Sequence, residues 1–199
     1  MSLTERATTK TDESDAEIIA ASGADPELFG LVFDRHVGQI HGYFLRRVGP
    51  ALAEELTAET FSVAFANRAR FVPLRESAGP WLYGIATNLV SNVRRAERRR
   101  LAAYERAALF PSAVGDEFER ADARVDAQHL AEGLVSALLE LQPGDRDALL
   151  LFAWQDLTYE EVGAALAIPP GTVASRINRA RRLVRESLRL AVEDGMGAV

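Results

Sequence analysis

Arginine is concentrated in two short stretches of this sequence, and its planar guanidinium group is well suited to bind phosphate. Residues 94–106 carry six arginines against two glutamates, and residues 172–189 carry six arginines against one glutamate. Residues 107–161, by contrast, hold twelve acids and three bases, so the net charge of −6 hides a strong segregation of charge. The basic stretches therefore indicate nucleic-acid binding in spite of the acidic total.

Residues 157–173 predict a helix, a tight turn and a second helix. Thr158 can cap the first helix, with Glu161 completing a capping box, and the turn is expected over residues 168–171. This is the spacing of a helix-turn-helix, whose second helix enters the major groove of DNA. The buried stripe of that second helix is expected to consist of Val173, Ile177, Ala180, Val184 and Leu188.

The opposite face of the last helix divides into two groups by position. Residues near its N-terminal end are placed to read base edges, and these are Ala174, Ser175, Asn178 and Arg179. Phosphate contacts are expected from Thr172, Arg176, Arg181 and Arg182. The alternative is an ordinary amphipathic helix with a solvated arginine face, and the turn that precedes the helix argues against it.

Side chains for covalent, metal or redox chemistry are scarce. The chain has no cysteine and three histidines, which excludes thiolate zinc sites and cysteine nucleophiles. His36 and His41 are five residues apart, about 140° apart on a helix, so His36 is expected to be a surface or packing residue. The carboxylates Glu54, Glu55 and Glu59 are only weak candidates for catalysis. Since a phosphate-binding glycine loop and a nucleophile elbow are also missing, we expect neither an enzyme nor a cofactor or metal.

Helix signals run along the chain and no segment favours a strand, so the predicted fold is all-α. The capping box Ser14–Glu17 begins one helix, and Asp25 with Pro26 begins a longer one that ends near residue 49. Further helices are predicted at 51–67, from Trp81 onward, at 128–141, about 145–154, about 159–166 and about 170–190.

The helix from Trp81 has two distinct faces at 100° per residue. The face expected to be buried consists of Trp81, Leu82, Ile85, Ala86, Leu89 and Val93. The face expected to be exposed is polar and then basic, and consists of Gly84, Thr87, Asn88, Ser91, Arg94 and Arg95.

Composition divides the chain into two small helical domains joined by a linker. Residues 1–13 are a polar leader, and residues 107–127 combine Pro, Gly and charged residues without an apolar period. The predicted domains are therefore 14–106 and 128–190, followed by a short tail, 191–199, and no fused regulatory domain. Because no apolar run approaches a membrane span and no secretion signal is present, we expect a cytoplasmic protein without membrane insertion.

Four separated segments have sequences that occur together in one family. They are FGLVFDRH at 29–36, ELTAETF at 55–61, WLYGIATNL at 81–89 and GTVASRINRAR at 171–181. With these segments in this order, residues 15–190 resemble a sigma-70 family sigma factor of the compact extracytoplasmic-function (ECF) group. The resemblance implies that the first domain is region 2, which binds core RNA polymerase and melts the promoter −10 element. The second domain is then region 4, which reads the −35 element.

The same resemblance assigns roles to residues of the first domain. Polymerase binding would fall to Glu55, Leu56, Thr57, Glu59, Thr60 and Phe61. Contacts to the −10 element would fall to Arg68, Arg70, Phe71, Arg75, Asn88, Ser91, Arg94 and Arg95. The loop of about residues 67–77 would capture an unstacked base, for which cationic and aromatic groups are suited. Gly84 and Thr87 depart from the family, which usually has arginine at these two places.

The partners implied by the resemblance are core RNA polymerase, through its beta-prime clamp helices and beta flap, promoter DNA and an anti-sigma factor. The polymerase would supply the catalysis and its metals. One alternative stays open: a free-standing helix-turn-helix regulator, with residues 14–106 as a dimerisation or effector domain. Dependence on polymerase for promoter recognition distinguishes the two, since a regulator binds its operator alone.

Overall fold

A computed structural model describes residues 13–74, 77–107 and 125–196, and all regular structure within these ranges is helical. The predicted all-α class is confirmed. None of the helices in this described part is long and apolar enough to cross a membrane.

The chain divides into two compact units, Met1–Ala113 and Val114–Val199. Nearly all of the predicted leader, and residues 108–124 of the predicted linker, lie outside the described residues. Residues 125–127, which were expected in the linker, instead form the start of a helix.

The described residues of the first unit form four α-helices and two short 3₁₀ helices. Ser14 and Glu17 form the predicted capping box, in which Ser14 N–H donates to Glu17 Oε2 over 2.8 Å. Gly49 ends the second helix at φ +76°, a conformation suited to glycine, and Pro50 opens the third. The α-helices are α1 (Asp15–Ala21), α2 (Phe29–Val48), α3 (Pro50–Asn67) and α4 (Gly79–Ala107), and the 3₁₀ helices are Pro26–Leu28 and Arg68–Arg70.

Helix α4 buries a wider face than the predicted one. Thr87 and Gly84, expected to be exposed, are buried, and the Thr87 hydroxyl lies 2.9 Å from the Tyr43 hydroxyl on α2. Tyr83 is also buried, with its ring 5.7 Å from that of Tyr43. The helix contacts both α2 and α3, so its contact face is wider than one apolar stripe, and polar residues that find partners are included in it.

A buried carboxylate joins α1, α2 and the start of α4. Asp15 is 5% exposed; its Oδ2 accepts a 2.8 Å hydrogen bond from Ala78 N–H and lies 2.5 Å from His36 Nε2, while Oδ1 accepts from Arg35. Burial by itself would raise the pKa of Asp15, but these hydrogen bonds, led by that of His36, outweigh it and lower the pKa to about 2. His36 is therefore a packing residue with a specific partner.

In the described residues of the second unit, three α-helices pack against a fourth, which is the last one in the chain. Its core centres on Leu151, Val162, Val173, Ile177 and Ala180, none of which is accessible to solvent. Val184 and Leu188, also expected in the buried stripe, are only partly buried. The helices are α5 (Val125–Glu140), α6 (Pro143–Trp154), α7 (Tyr159–Leu166) and α8 (Pro170–Met196).

The turn between α7 and α8 begins earlier than predicted. Ala167 adopts a left-handed conformation, φ 52° and ψ 44°, and ends α7. Ile168 N–H donates to Gly163 O and Ala167 N–H to Ala164 O, which is the Schellman pattern of a helix C-terminus. Glycine usually fills this position, so a turn that starts at an alanine was not predicted, although the helix end at residue 166 was. Trp154, at the end of α6, is exposed.

Ala167→Gly is predicted to stabilise the second unit by about 1 kcal/mol, since glycine adopts the left-handed conformation without steric strain. Urea unfolding followed by Trp154 fluorescence in a Trp81→Phe background would report this unit alone, because the chain has two tryptophans. Gly163→Ala is the contrasting variant: a Cβ there would lie 2.8 Å from the Ile168 carbonyl oxygen, so it should destabilise. Equal or lower stability of Ala167→Gly would contradict this account of the turn.

Asp15 should make the first unit acid-sensitive. Its pKa is lowered from the ordinary 3.8 to about 2, so its stabilisation is complete above about pH 4 and is lost as the pH falls toward 2. The loss should be on the order of 1–2 kcal/mol. Urea unfolding between pH 5 and pH 2, followed by Trp81 in a Trp154→Phe background, should show this decline, and Asp15→Asn should flatten it. An unchanged pH profile in the variant would assign the sensitivity to other groups.

Candidate nucleic-acid and protein interfaces

Helix α8 presents a polar and basic face to solvent. Ser175, Asn178 and Arg182 are exposed, while Thr172 and Ala174 are half-buried. The Ser175 hydroxyl donates to Gly171 O within the helix over 2.9 Å, which leaves the oxygen available to accept. These residues lie in the first turns of the second helix of the helix-turn-helix, which is the part that reaches base edges in such motifs.

Arg179 is held by a carboxylate of α6. Its Nε and Nη2 donate to Asp145 Oδ2 and Oδ1 over 2.5 and 2.6 Å, and Asp145 itself is buried. The hydrogen bonds and charge of Asp145 raise the pKa of Arg179 above its ordinary value. Because the guanidinium is planar, this pairing turns the opposite edge, with Nη1, away from Asp145, and half of the side chain stays exposed. Arg179 is thus oriented as well as charged.

Two more predicted phosphate ligands of α8 contact neighbouring helices. The guanidinium of Arg176 lies over Gly144, with Nη1 2.7 Å from where a Cβ would stand. The guanidinium carbon of Arg181 lies 5.0 Å from the centre of the Phe152 ring, a cation–π contact. Arg185 Nε also donates to the Arg181 carbonyl. The arginine side chains of α8 therefore differ in how strongly protein contacts restrain them, although the sequence pattern predicts the same exposed position for all of them.

Some side chains of the loop between α3 and α4 contact other parts of the protein, and others are exposed to solvent. Arg68 Nη1 donates to Phe65 O over 2.8 Å, and its guanidinium carbon lies 4.0 Å from the Phe65 ring centre. Phe71 is half-buried, with its ring 4.9 Å from that of Trp81. Arg70 is exposed. Arg75, also predicted to contact DNA, lies outside the described residues.

Helix α4 places the remaining predicted DNA contacts along one side. Asn88 and Arg95 are exposed and Ser91 is partly exposed, at spacings of three and four residues that share a face. Arg94 is half-buried, and its carbonyl accepts from Arg98 Nε over 3.3 Å. The exposed residues form a polar track on the N-terminal half of α4 that becomes basic toward Arg95.

The segment predicted to bind polymerase is mostly interior. Glu55 and Glu59, one turn apart on α3, are exposed. The other four members are buried, and the hydroxyls of two of them donate to α3 carbonyls over 2.6 and 2.8 Å. The four buried members are Leu56, Thr57, Thr60 and Phe61. Only the two glutamates are in a position to meet a partner; the others fix the helix that carries them.

Two partly exposed aromatic residues, one on α2 and one on α3, were missed by the sequence analysis. The ring of Phe33 on α2 packs 4.8 Å from that of Phe61, and Phe65 packs 5.4 Å from Phe29. Phe33 and Phe65 nevertheless stay partly exposed. Helical spacing predicts apolar faces for α2 and α3, but it does not show where the seam between two helices ends and solvent begins.

Within the described part of the chain, no three His, Cys, Asp or Glu side chains are grouped so that they could hold a metal ion. His41 is half-buried.

Comparison with known protein families gives two matches in chain order. Residues 32–100 match sigma-70 region 2, and residues 131–184 match sigma-70 region 4. The RNA polymerase sigma factor CarQ of Myxococcus xanthus is 32% identical over 165 residues, covering 81% of this chain and 90% of that protein. The ECF sigma factor SigW of Bacillus subtilis is 29% identical over 172 residues, covering 83% and 91% respectively.

Two solved structures share the fold. One is the sigma factor RpoE in complex with the anti-sigma factor NepR from Bartonella quintana, with a TM-score of 0.56 and 23% identity, covering 84% of this chain and 98% of that one. The other is CnrH in complex with the cytosolic domain of CnrY, with a TM-score of 0.61 and 21% identity, covering 89% and 99%.

Proposed function

The chain belongs to the sigma-70 family, as an ECF RNA polymerase sigma factor that directs promoter-specific transcription initiation, and we propose which of its surfaces performs each step. In this proposal residues 14–107 act as region 2, the residues between α4 and α5 as the linker, and residues 125–190 as region 4. The observation that supports the division best is that the two family matches fall within separate compact units. Catalysis belongs to the polymerase.

Core polymerase binds the α3 surface through Glu55 and Glu59. Both carboxylates are exposed and lie one turn apart on α3. A basic partner surface complements this arrangement, as the beta-prime clamp helices would. Leu56, Thr57, Thr60 and Phe61 support the helix from inside.

The −10 strand binds along the α3–α4 loop and α4. Arg70, Asn88 and Arg95 provide exposed hydrogen-bond donors and positive charge, and Ser91 lies between the last two. Cations that follow a freed backbone offset the free energy of unstacking the duplex. Arg68 and Phe71 also belong to this predicted surface, and their contacts with Phe65 and Trp81 hold them in place in the loop.

The −35 element is read by the first turns of α8. Ser175, Asn178 and the outward edge of Arg179 face the base pairs, with Asp145 fixing the direction of that edge. Arg182 contacts phosphate, as do Thr172, Arg176 and Arg181 at the flanks. A region 4 held against the beta flap would place this helix on the duplex upstream of the opened strand.

An anti-sigma factor regulates this protein in the cytoplasm, where the polymerase works. The supporting observation is that the fold is shared with the sigma factor RpoE, whose structure contains the anti-sigma factor NepR, and with CnrH, whose structure contains the cytosolic domain of CnrY. Such a partner would cover the surfaces that bind polymerase.

Glu59→Arg should weaken binding to bacterial core RNA polymerase about tenfold or more, because it places a cation against a basic partner surface. Size-exclusion co-elution with sigma-free core enzyme, followed by titration with fluorescently labelled protein, would measure the loss. Glu97→Arg is the matched control, since Glu97 is an exposed helical glutamate on α4 and should bind normally without DNA. Absence of any wild-type complex, together with tight binding to duplex DNA alone, would favour the free-standing regulator.

Three α8 variants should separate base contacts from phosphate contacts on promoters that the wild-type holoenzyme selects from a randomised library. Arg179→Ala should lower transcription from those promoters about tenfold, through loss of a bidentate contact. Asn178→Ala should change the preferred base and leave the salt dependence unchanged. Arg182→Ala should weaken binding to all sequences and reduce the salt slope by about one. If all three variants transcribed every promoter as well as the wild-type protein does, α8 would not be the helix that contacts the −35 element.

A further inference from the structure

Helix α1 makes hydrogen bonds to both ends of the loop between α3 and α4. The loop starts at the 3₁₀ helix Arg68–Arg70 and ends at Ala78, directly before α4. None of the α1 residues was assigned to DNA or polymerase, and the helix has seven residues, of which Asp15, Ile18 and Ile19 are buried. The hydrogen bonds between this part of the chain and the loop are therefore not explained by direct contact of α1 with DNA or polymerase.

At the far end of the loop, Asp15 acts on the first residues of α4. Ala78 is the residue whose carbonyl accepts from Leu82 N–H, so it occupies the N-cap position of α4, and alanine has no side chain that could cap. The Asp15 carboxylate accepts from Ala78 N–H over 2.8 Å. A negative charge at a helix N-terminus is also favoured by the helix dipole. Asp15 thus caps α4 from a distant part of the sequence.

At the near end, Ser22, the residue that directly follows α1, holds Arg68. The Ser22 carbonyl accepts from Arg68 Nε over 3.4 Å, while Arg68 also donates to Phe65 O. Ser22 is fully buried, and its hydroxyl donates to Ile19 O over 2.6 Å. One short rigid helix thereby fixes the position of Arg68 relative to Ala78.

We propose that Asp15 is a positioning residue for capture of the −10 strand, acting with the Ser22 carbonyl through α1 as a clasp on both ends of the loop. The proposal rests on the function proposed above for Arg70 and α4. A loop whose ends are fixed loses less conformational freedom when it orders around an extruded base, so strand capture is favoured. Core polymerase binding on α3 does not depend on this clasp.

The test compares promoter opening with core binding in reconstituted holoenzymes. Opening is measured by permanganate reactivity of unpaired thymines on a promoter selected by the wild-type holoenzyme. Asp15→Asn should lower opening about tenfold, because the hydrogen bond to Ala78 N–H loses its charged acceptor. Core binding should remain within about twofold, because the exposed α3 glutamates do not contact the clasp. Hydrogen exchange in the free protein should increase at residues 77–79 more than in α3.

Arg35→Ala is the matched control. It removes a donor to the same carboxylate but leaves the Asp15 contact with Ala78, so it should destabilise the first unit while opening stays near the wild-type level. Should opening decline in both variants in proportion to their loss of stability, Asp15 would be a structural residue only.

Two further variants keep the outcome decisive. Arg68→Lys retains the charge but loses the Nε donor to Ser22, and it should lower opening even if Asp15→Asn fails to fold. Normal opening by Arg68→Lys would overturn the clasp. Arg70→Ala tests the loop itself: reduced opening by Arg70→Ala with normal opening by Asp15→Asn refutes the clasp alone, whereas normal opening by both refutes the role proposed for the loop.

Discussion

The binding surfaces depend on how each arginine-bearing helix is oriented about its own axis, because this orientation decides which side chains face solvent. Six arginines in residues 172–189 repel one another, so α8 gains little stability from its polar face. Its apolar stripe supplies the stability: Val173, Ile177 and Ala180 are inaccessible to solvent and lock the helix onto α6 and α7. Which arginines face outward follows from that stripe.

Apolar burial determines which side of a helix faces solvent, and in each unit a buried carboxylate then fixes the position of one particular group on or near that side. Asp145 pairs with Arg179 across two helices, and Asp15 connects α1, α2 and α4. Buried carboxylates are tolerated only when hydrogen bonds replace their hydration, and both have such bonds. Each carboxylate accepts hydrogen bonds from a group at the edge of a proposed binding surface. In the second unit this group is the Arg179 guanidinium, and in the first unit it is the Ala78 N–H at the start of α4.

Local signals in the sequence predicted the elements well. The capping boxes at Ser14 and Thr158 and the Pro170 helix start correspond to real helix termini, because capping depends on residues within one turn. The all-α class, the helix-turn-helix and the family follow from the same local patterns.

Features that depend on distant residues were not predictable in this way. The burial of Thr87 depends on Tyr43, and the orientation of Arg179 depends on Asp145, 34 residues away. Four of the six residues assigned to polymerase binding are buried, because a continuous helical segment includes side chains that pack inside the unit as well as side chains that face solvent. The exposed glutamates Glu55 and Glu59 have a further consequence. Like charges one turn apart on a helix repel by about 0.2–0.5 kcal/mol, and α3 contains no basic residue to relieve them. Repulsion between the two carboxylates therefore raises the free energy of the unbound protein slightly. A cationic partner reduces this repulsion when it binds, and the reduction contributes to the affinity.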